Sequence, residues 1–342
     1  MVYVFVFLGE FGYELLNWQG VIRRFSKTRA PGDSIVCCSR AQVYPLYEMA
    51  DLYVDISHLA LFKHSRAVCY AGTIGVGGPA RRLNRLFDAA LRASVRAHVR
   101  ERMRTLGPQW SGRQLRFVFS STKTTLGDLP LGCDPDRIET DADIGERLDL
   151  KANLFRQVEP DLRVREAIER RLGRDLPERY VLVQARTRRV GPQWGTLPST
   201  RGLIDALAGR MPVVLLSFHS GRALDSYSLL EPVAGCLHYT GQSFPEQAAL
   251  VHFARRCVFF SEGDLGSHVF VPPLMGHDVV SITPGAIHVP WGPTIEFWNR
   301  HVFRFGGQII PIASDEALGS WAAAERTAAE IMTERPRVNT RA

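Results

Sequence analysis

The chain has 342 residues, 45% hydrophobic and 23% charged, a globular composition long enough for two domains. Disorder, collagen-like repeats and a lone small module are excluded by these figures. A net charge of +7, from 42 Lys and Arg that are nearly all arginine against 35 Asp and Glu, points to phosphate-bearing partners such as nucleotides, acidic lipids or nucleic acid.

In chain order, Val2 to Leu8 is rich in β-branched and aromatic residues and reads as a strand. Its apolar run is too short to span a bilayer and no basic leader precedes it, so the expectation is a cytoplasmic protein. The turn Gly9-Glu10-Phe11-Gly12-Tyr13-Glu14 follows, and Leu15 to Phe25 has helical spacing. Ser34 to Cys38 and Leu52 to Ile56 read as strands around a short helix at Val43 to Ala50, and Ala67 to Tyr70 as a further strand. The longest amphipathic pattern runs from Arg81 to Leu106, with Leu83, Leu86, Phe87, Ala90, Leu91, Val95, Val99 and Met103 on one stripe and arginines around it. Leu115 to Phe119 closes this half as a strand. Periodicity then fades between Gly127 and Pro160, and Asp161 to Leu172 is a charged helix.

The second half reads as strand Tyr180 to Gln184, helix Gly202 to Leu207 and strand Val213 to Ser217. A short strand at Leu237 to Tyr239, helix Glu246 to Phe253 and strand Cys257 to Phe260 follow. Helix Gly266 to Met275, strand Val279 to Ile282 and a last helix, Ser314 to Met332, complete it. Pro198 and Ser199 mark a helix start, Gly209 a helix end, and Pro272 and Pro273 shorten or kink their helix. Short apolar runs alternating with helices predict an α/β protein of two doubly wound Rossmann-like domains, residues 1–170 and 171–342. Ligands of such sheets bind beyond the carboxyl ends of the strands, so function is expected in a cleft between the two. The six cysteines, Cys37, Cys38, Cys69, Cys133, Cys236 and Cys257, have no CxxC spacing and read as free thiols of a reducing compartment.

Candidate functional residues follow strand ends. Glu10 and Glu14, with Gly12 and Tyr13 between them, put two carboxylates and a phenol at the end of the first strand. Such a carboxylate, partly desolvated, would take a proton from a hydroxyl, while Glu14 would equally suit the positive end of the helix it opens. The strand YVLVQ runs into Ala185-Arg186-Thr187-Arg188-Arg189, three arginines in a pattern suited to clamping a diphosphate, or to a solvated turn. Ser217, His219 and Thr240 lie at or just beyond two further strand ends. Ser261-Glu262-Gly263-Asp264-Leu265-Gly266-Ser267-His268 joins a strand to a helix start. There backbone N–H groups and Ser267 would hold phosphate or ribose oxygens, and Glu262 or Asp264 would accept from sugar hydroxyls, unless Asp264 merely caps the helix.

Here the chain resembles known families. GEFGYE looks like the acceptor-side loop of fucosyltransferases and heptosyltransferases. QARTRR resembles the arginine-bearing strand end with which GDP-fucose-dependent enzymes hold diphosphate, although Gln184 or Ala185 stands where the HxRR type has histidine. SEGDLGSHVFVPPLMGHDVVSI resembles the donor-site segment of heptosyltransferases, whose catalytic aspartate is a glutamate here, Glu10 or Glu14. Together the resemblances imply a GT-B glycosyltransferase that is inverting and metal-independent, with no cofactor beyond its nucleotide-diphosphate sugar, a GDP-sugar first and an ADP- or UDP-sugar next. Glu10 or Glu14 would be its base and Arg188 would join Arg186 and Arg189 on the leaving diphosphate. The acceptor would be a glycan or lipid-linked hydroxyl. A sugar-nucleotide 2-epimerase of the same architecture and a non-catalytic protein that binds a nucleotide sugar or a glycan are the alternatives.

Competing signals are weaker. GVGGPA at Gly75 to Ala80 lacks the acidic partner of a dinucleotide fingerprint, and Asp134, Asp136, Asp141 and Asp143 follow no apolar strand as a DxD metal motif would. The ten histidines have no ligand spacing, and Ser220 sits in no nucleophile elbow. The basic face of Arg81 to Arg104 is either a solvated face or a contact with anionic lipid at the inner face of the plasma membrane. No nucleic-acid-binding module is visible.

Overall fold

Parallel strands buried on both faces must be apolar along most of their length, and the runs VYVFV, SIVCCS, YVLVQA, VVLLSF and VVSIT fit that pattern with at most two polar residues each. The computed structural model describes residues 1–8, 14–40, 43–62, 79–119, 161, 163–185, 198–218, 233–241, 244–260, 267–283, 295, 296, 299, 303 and 305–333. The chain divides into two compact units, Met1–Phe155 and Arg156–Ala342, each an α/β sandwich on a parallel sheet of Rossmann type.

In the first unit, β1 (Val2–Val6) leads to a π-helical turn, Glu14–Trp18, and α1 (Gln19–Thr28). Next come β2 (Ser34–Ser39), a 3-10 turn (Tyr44–Tyr47), β3 (Leu52–Asp55), α2 (Pro79–Thr105) and β4 (Leu115–Phe119). The helix expected at Val43 to Ala50 is only this 3-10 turn, opened by Pro45. The strand expected at Ala67 to Tyr70 lies outside the described residues. The sheet order is β3-β2-β1-β4, all parallel. Leu91, Val95, Val99 and Met103 of α2 recur every four residues and pack on Val2, Val4, Val6, Val36 and Phe119. Full burial of such a side chain stabilises by about 2 kcal/mol.

The second unit contains α3 (Arg163–Leu172), β5 (Tyr180–Ala185), α4 (Pro198–Ala208), β6 (Val213–Phe218), β7 (Leu237–Gly241) and α5 (Phe244–Phe253). It continues with β8 (Ala254–Phe260), a 3-10 turn (Ser267–Phe270), α6 (Val271–Leu274), β9 (Val279–Thr283), β10 (Ile309–Ala313), α7 (Ser314–Leu318) and α8 (Trp321–Met332). The parallel order is β10-β9-β8-β5-β6-β7. Two elements depart from the sequence reading. β10 escapes it because Pro311 interrupts IIPIA, a residue tolerated here on an edge strand. The last helix is two, because Gly319 ends α7 and Ser320 starts α8, its side chain accepting from the Ala323 N–H at 3.1 Å.

The boundary also differs from residue 170. α3 belongs to the second unit, where the Arg171 guanidinium pairs with Glu246 of α5 at 2.9 Å and donates to the Tyr239 hydroxyl at 2.8 Å. Arg165 stacks on the Phe253 ring at 4.4 Å, fixing the other end of the helix. Among the described residues no helix is long and apolar enough to cross a membrane, and Cys37, Cys38, Cys236 and Cys257 are free thiols.

Candidate functional site

A doubly wound sheet binds ligands where its strand order reverses, because the loops on either side of that point part and leave a crevice. In the second unit the chain runs outward from β5 through β6 to β7, then crosses to β8 on the opposite side of β5. The reversal therefore lies between β5 and β8, whose last register partners are Ala185 and Phe260. β5 and β8 thus end side by side at the carboxyl edge of the sheet, the one before residue 186 in sequence and the other before residue 261. The intervening sequence separates these two segments by more than seventy residues, and only the strand order joins them. Arg186, Arg188, Arg189, His219, Glu262, Gly263 and Asp264 themselves lie outside the described residues.

Beneath this edge is a polar pair that sequence reasoning missed. Gln184 on β5 is 5% exposed and Gln247 on α5 fully buried, and the Gln247 Nε2 donates to Gln184 Oε1 at 3.1 Å. The bond ties α5 to β5, the strand that precedes the arginine-rich segment in sequence. A polar residue next to the end of an otherwise apolar strand was the available signal. On the neighbouring strands Ser217 and Thr240 are register partners near the ends of β6 and β7. Ser217 is buried, its Oγ 3.3 Å from His238 Nε2, whereas Thr240 is half-buried. Ser267 and His268 open the 3-10 turn after β8.

The first unit has its own reversal, between β1 and β4, where Val6 and Phe119 are the last partners. Glu10, Gly12 and Tyr13 lie outside the described residues, but the turn is bounded on both sides by structure. Before it, the Phe7 N–H donates to the Cys38 carbonyl at 2.9 Å. After it comes Glu14, at the head of a π-helical turn, a local geometry frequent at functional sites.

Glu14 is fully buried, and both carboxylate oxygens are occupied. Oε1 accepts from the Ser39 hydroxyl and from Tyr47 Oη at 2.6 Å, and Oε2 accepts from the Arg40 guanidinium at 2.6 Å. Ser39 ends β2, Arg40 follows it, and Tyr47 closes the 3-10 turn, so the carboxylate joins three segments. Burial and then the adjacent carboxylate push the Tyr47 phenol well above its ordinary value of 10.0. Burial, then Cys38 and Glu14, push the Cys37 thiol up in the same way. Arg40 also stacks on Phe7 at 5.6 Å, and the Tyr53 hydroxyl donates to the Arg40 carbonyl. Trp18, at the far end of the π-helical turn, packs edge-on against Phe5, with ring centroids 6.1 Å apart.

A buried carboxylate pays for lost hydration through such partners, and its geometry is then rigid. The arrangement is suited to holding the chain on the C-terminal side of the Gly9 to Tyr13 turn. Neither Ser39, Arg40 nor Tyr47 was singled out from the sequence; a serine and an arginine immediately at the end of an apolar strand were the signal.

No family model matches the chain, and no curated protein sequence matches it. Among solved structures it is similar to a glycosyltransferase of family 9 from Veillonella parvula DSM 2008, at 12% identity over 97% of this chain and 90% of that one, with a TM-score of 0.46. It is similar to the E. coli heptosyltransferase WaaC with ADP at 13% identity over 96% and 99%, with a TM-score of 0.45. A UDP-GlcNAc 2-epimerase from Methanocaldococcus jannaschii is similar at 11% identity over 98% and 94%, with a TM-score of 0.42.

Proposed function

We propose that the chain is an inverting, metal-independent glycosyltransferase that moves a sugar from a nucleotide-diphosphate donor, a GDP-sugar first and an ADP- or UDP-sugar next, to a glycan or lipid-linked hydroxyl. One observation carries the reading. Ala185 and Phe260 are register partners across the strand reversal, so an arginine-rich segment and a Gly-rich acidic segment start side by side where such sheets take nucleotides.

In this reading the second unit takes the donor. Arg186, Arg188 and Arg189 pair with the diphosphate, and Glu262, Gly263, Asp264, Ser267 and His268 orient ribose and sugar. Ser217, His219 and Thr240 line the next strand ends. The first unit takes the acceptor through Gly12 and Tyr13. Glu10 removes the proton of the acceptor hydroxyl as its oxygen attacks the anomeric carbon. The bond from that carbon to the distal phosphate oxygen breaks, and its electron pair leaves on the diphosphate. The three guanidiniums receive this charge, the part that a divalent cation plays in other transferases. Of the two first-loop glutamates Glu10 is assigned the base, because both oxygens of Glu14 are engaged and buried; Glu14 positions the turn.

The test starts from ligand-dependent unfolding with GDP, UDP, ADP and their sugar conjugates, each with and without EDTA. A nucleotide at a hundredfold its dissociation constant adds about 2.7 kcal/mol, roughly 5–10 °C for a unit of this size. The expected result is a rise with one base that survives EDTA. Arg188→Ala should weaken that binding about 10- to 100-fold. With an acceptor present, Glu10→Gln should abolish turnover, whereas Glu14→Gln should keep the shape of the pH–rate profile. No response to any nucleotide overturns the reading, and free epimerised sugar released without acceptor makes the protein an epimerase.

A further inference from the structure

The helix α2 carries eight arginines against Asp88 and Glu101, a strong excess of positive charge. Its buried stripe ends at Leu91, Val95, Val99 and Met103. Along one flank of that stripe Arg92, Arg96 and Arg100 recur every four residues, so their Cα atoms form a row about 12 Å long. Under the row lie Phe117 and Phe119 of β4, an edge strand, with their rings stacked at 6.0 Å and 16°. Arg92 sits 4.9 Å and Arg96 4.8 Å from the Phe119 centroid, Arg96 also 5.9 Å from Phe117, and Arg100 5.6 Å from Phe117.

A guanidinium packed on a ring satisfies its π-face and keeps its in-plane N–H groups for acceptors. Two such groups one turn apart, Arg96 and Arg100, with their side chains already ordered, lose little entropy when they meet phosphates. Among the described residues, the exposed positions of the outer face between Leu86, which is 69% exposed, and Arg100 are Ala89, Ala90, Ala93 and Ala97, none of them charged. Uncharged face and adjoining arginines together suit a helix lying flat at a lipid–water boundary, with the guanidiniums at headgroup level. Nucleic acid fits less well, because the aromatic rings that would stack on bases are already covered by arginines.

We propose that α2 docks the protein on an anionic lipid surface, with Arg96 and Arg100 ligating lipid phosphates. The inference stands independently of the donor site.

Vesicle co-sedimentation of the full chain tests it, with phosphatidylcholine alone against phosphatidylcholine containing phosphatidylglycerol. Binding is expected only to the anionic vesicles and should weaken as salt is raised. The double variant Arg96→Gln/Arg100→Gln should lose about 25-fold in affinity, near fivefold per charge. Arg174→Gln/Arg179→Gln removes the same net charge from exposed positions of the second unit and should bind as the parent does. Leu86→Glu supplies a variant at a site with no packing to lose, and should weaken binding severalfold. Equal binding to uncharged vesicles, binding to neither, or equal loss in the Arg174/Arg179 control overturns the proposal. So does an RNA oligonucleotide that competes at equal affinity through the same arginines.

Discussion

Removing the Glu14 carboxylate tests the anchor assigned to it. Glu14→Ala leaves the buried Ser39 and Tyr47 hydroxyls without their acceptor and the partly buried Arg40 without its counter-ion. Breaking one side of a buried ion pair costs about 3–5 kcal/mol. The Arg40 side chain keeps 15% of its surface exposed and regains some hydration, so the lower end, about 3 kcal/mol, is expected. Glu14→Gln keeps one carbonyl oxygen for the two hydroxyls but turns an amide toward Arg40, for a loss of about 2 kcal/mol. Tyr47→Phe removes a single bond and should cost about 1 kcal/mol. Because the chain has two units, hydrogen exchange resolved by peptide is the suitable assay. Peptides covering Val2 to Leu8 and Ser34 to Ser39 should exchange about a hundredfold faster in Glu14→Ala, while those covering β5 and β8 keep their rates. If Glu14→Gln leaves the first two peptides within threefold of the parent, the carboxylate is no anchor, and the assignment of Glu10 as base loses its ground.

Two further outcomes follow from other parts of the fold. At Gly307 a Cβ would stand 2.4 Å from the His277 carbonyl oxygen and 2.7 Å from its nitrogen, both backbone, so Gly307→Ala should cost about 2–3 kcal/mol and lower the melting temperature of the second unit by roughly 5–10 °C. A melting point within 2 °C of the parent would count against that packing. Burial, then the neighbouring His58 and Arg102, lower the His98 pKa below the ordinary 6.5, so the unfolded chain binds the proton more readily than the folded one. The first unit should therefore hold its full stability above pH 6.5 and lose part of it as the pH falls through the folded value, a loss that His98→Asn removes. An unchanged acid-side slope in urea unfolding of that variant contradicts the assignment.

Much of the fold was legible because parallel strands announce themselves. Five or six consecutive apolar residues between turn signals have few structures other than a strand buried on both faces, and Tyr180–Ala185, Val213–Phe218 and Val279–Thr283 occur where the pattern puts them. Two of the departures share one cause, which is tertiary context. Pro311 cannot donate to a ladder, yet an edge strand has a side on which no donor is needed, and only the sheet order reveals that β10 is an edge. Likewise α3 reads as an isolated charged helix, and what assigns it to the second unit is Arg171 meeting Glu246 and Tyr239, residues far along the chain.

The candidate site divides along the same line. Residues that follow strand ends were readable, because a polar turn after an apolar run needs only local sequence. Which turns are neighbours was not, since adjacency depends on the order β8-β5-β6 and on the pairing of Ala185 with Phe260. The first loop shows the limit most clearly. Glu10 and Glu14 are both carboxylates of one Gly-containing segment, and the sequence leaves either of them as the base. What singles out Glu14 is a set of donors 25, 26 and 33 residues away, at Ser39, Arg40 and Tyr47. A carboxylate claimed by three donors from two other segments can hold the turn in place. It has no oxygen left to take a substrate proton unless that network opens, and opening it would loosen the support on which the proposed base, Glu10, would depend.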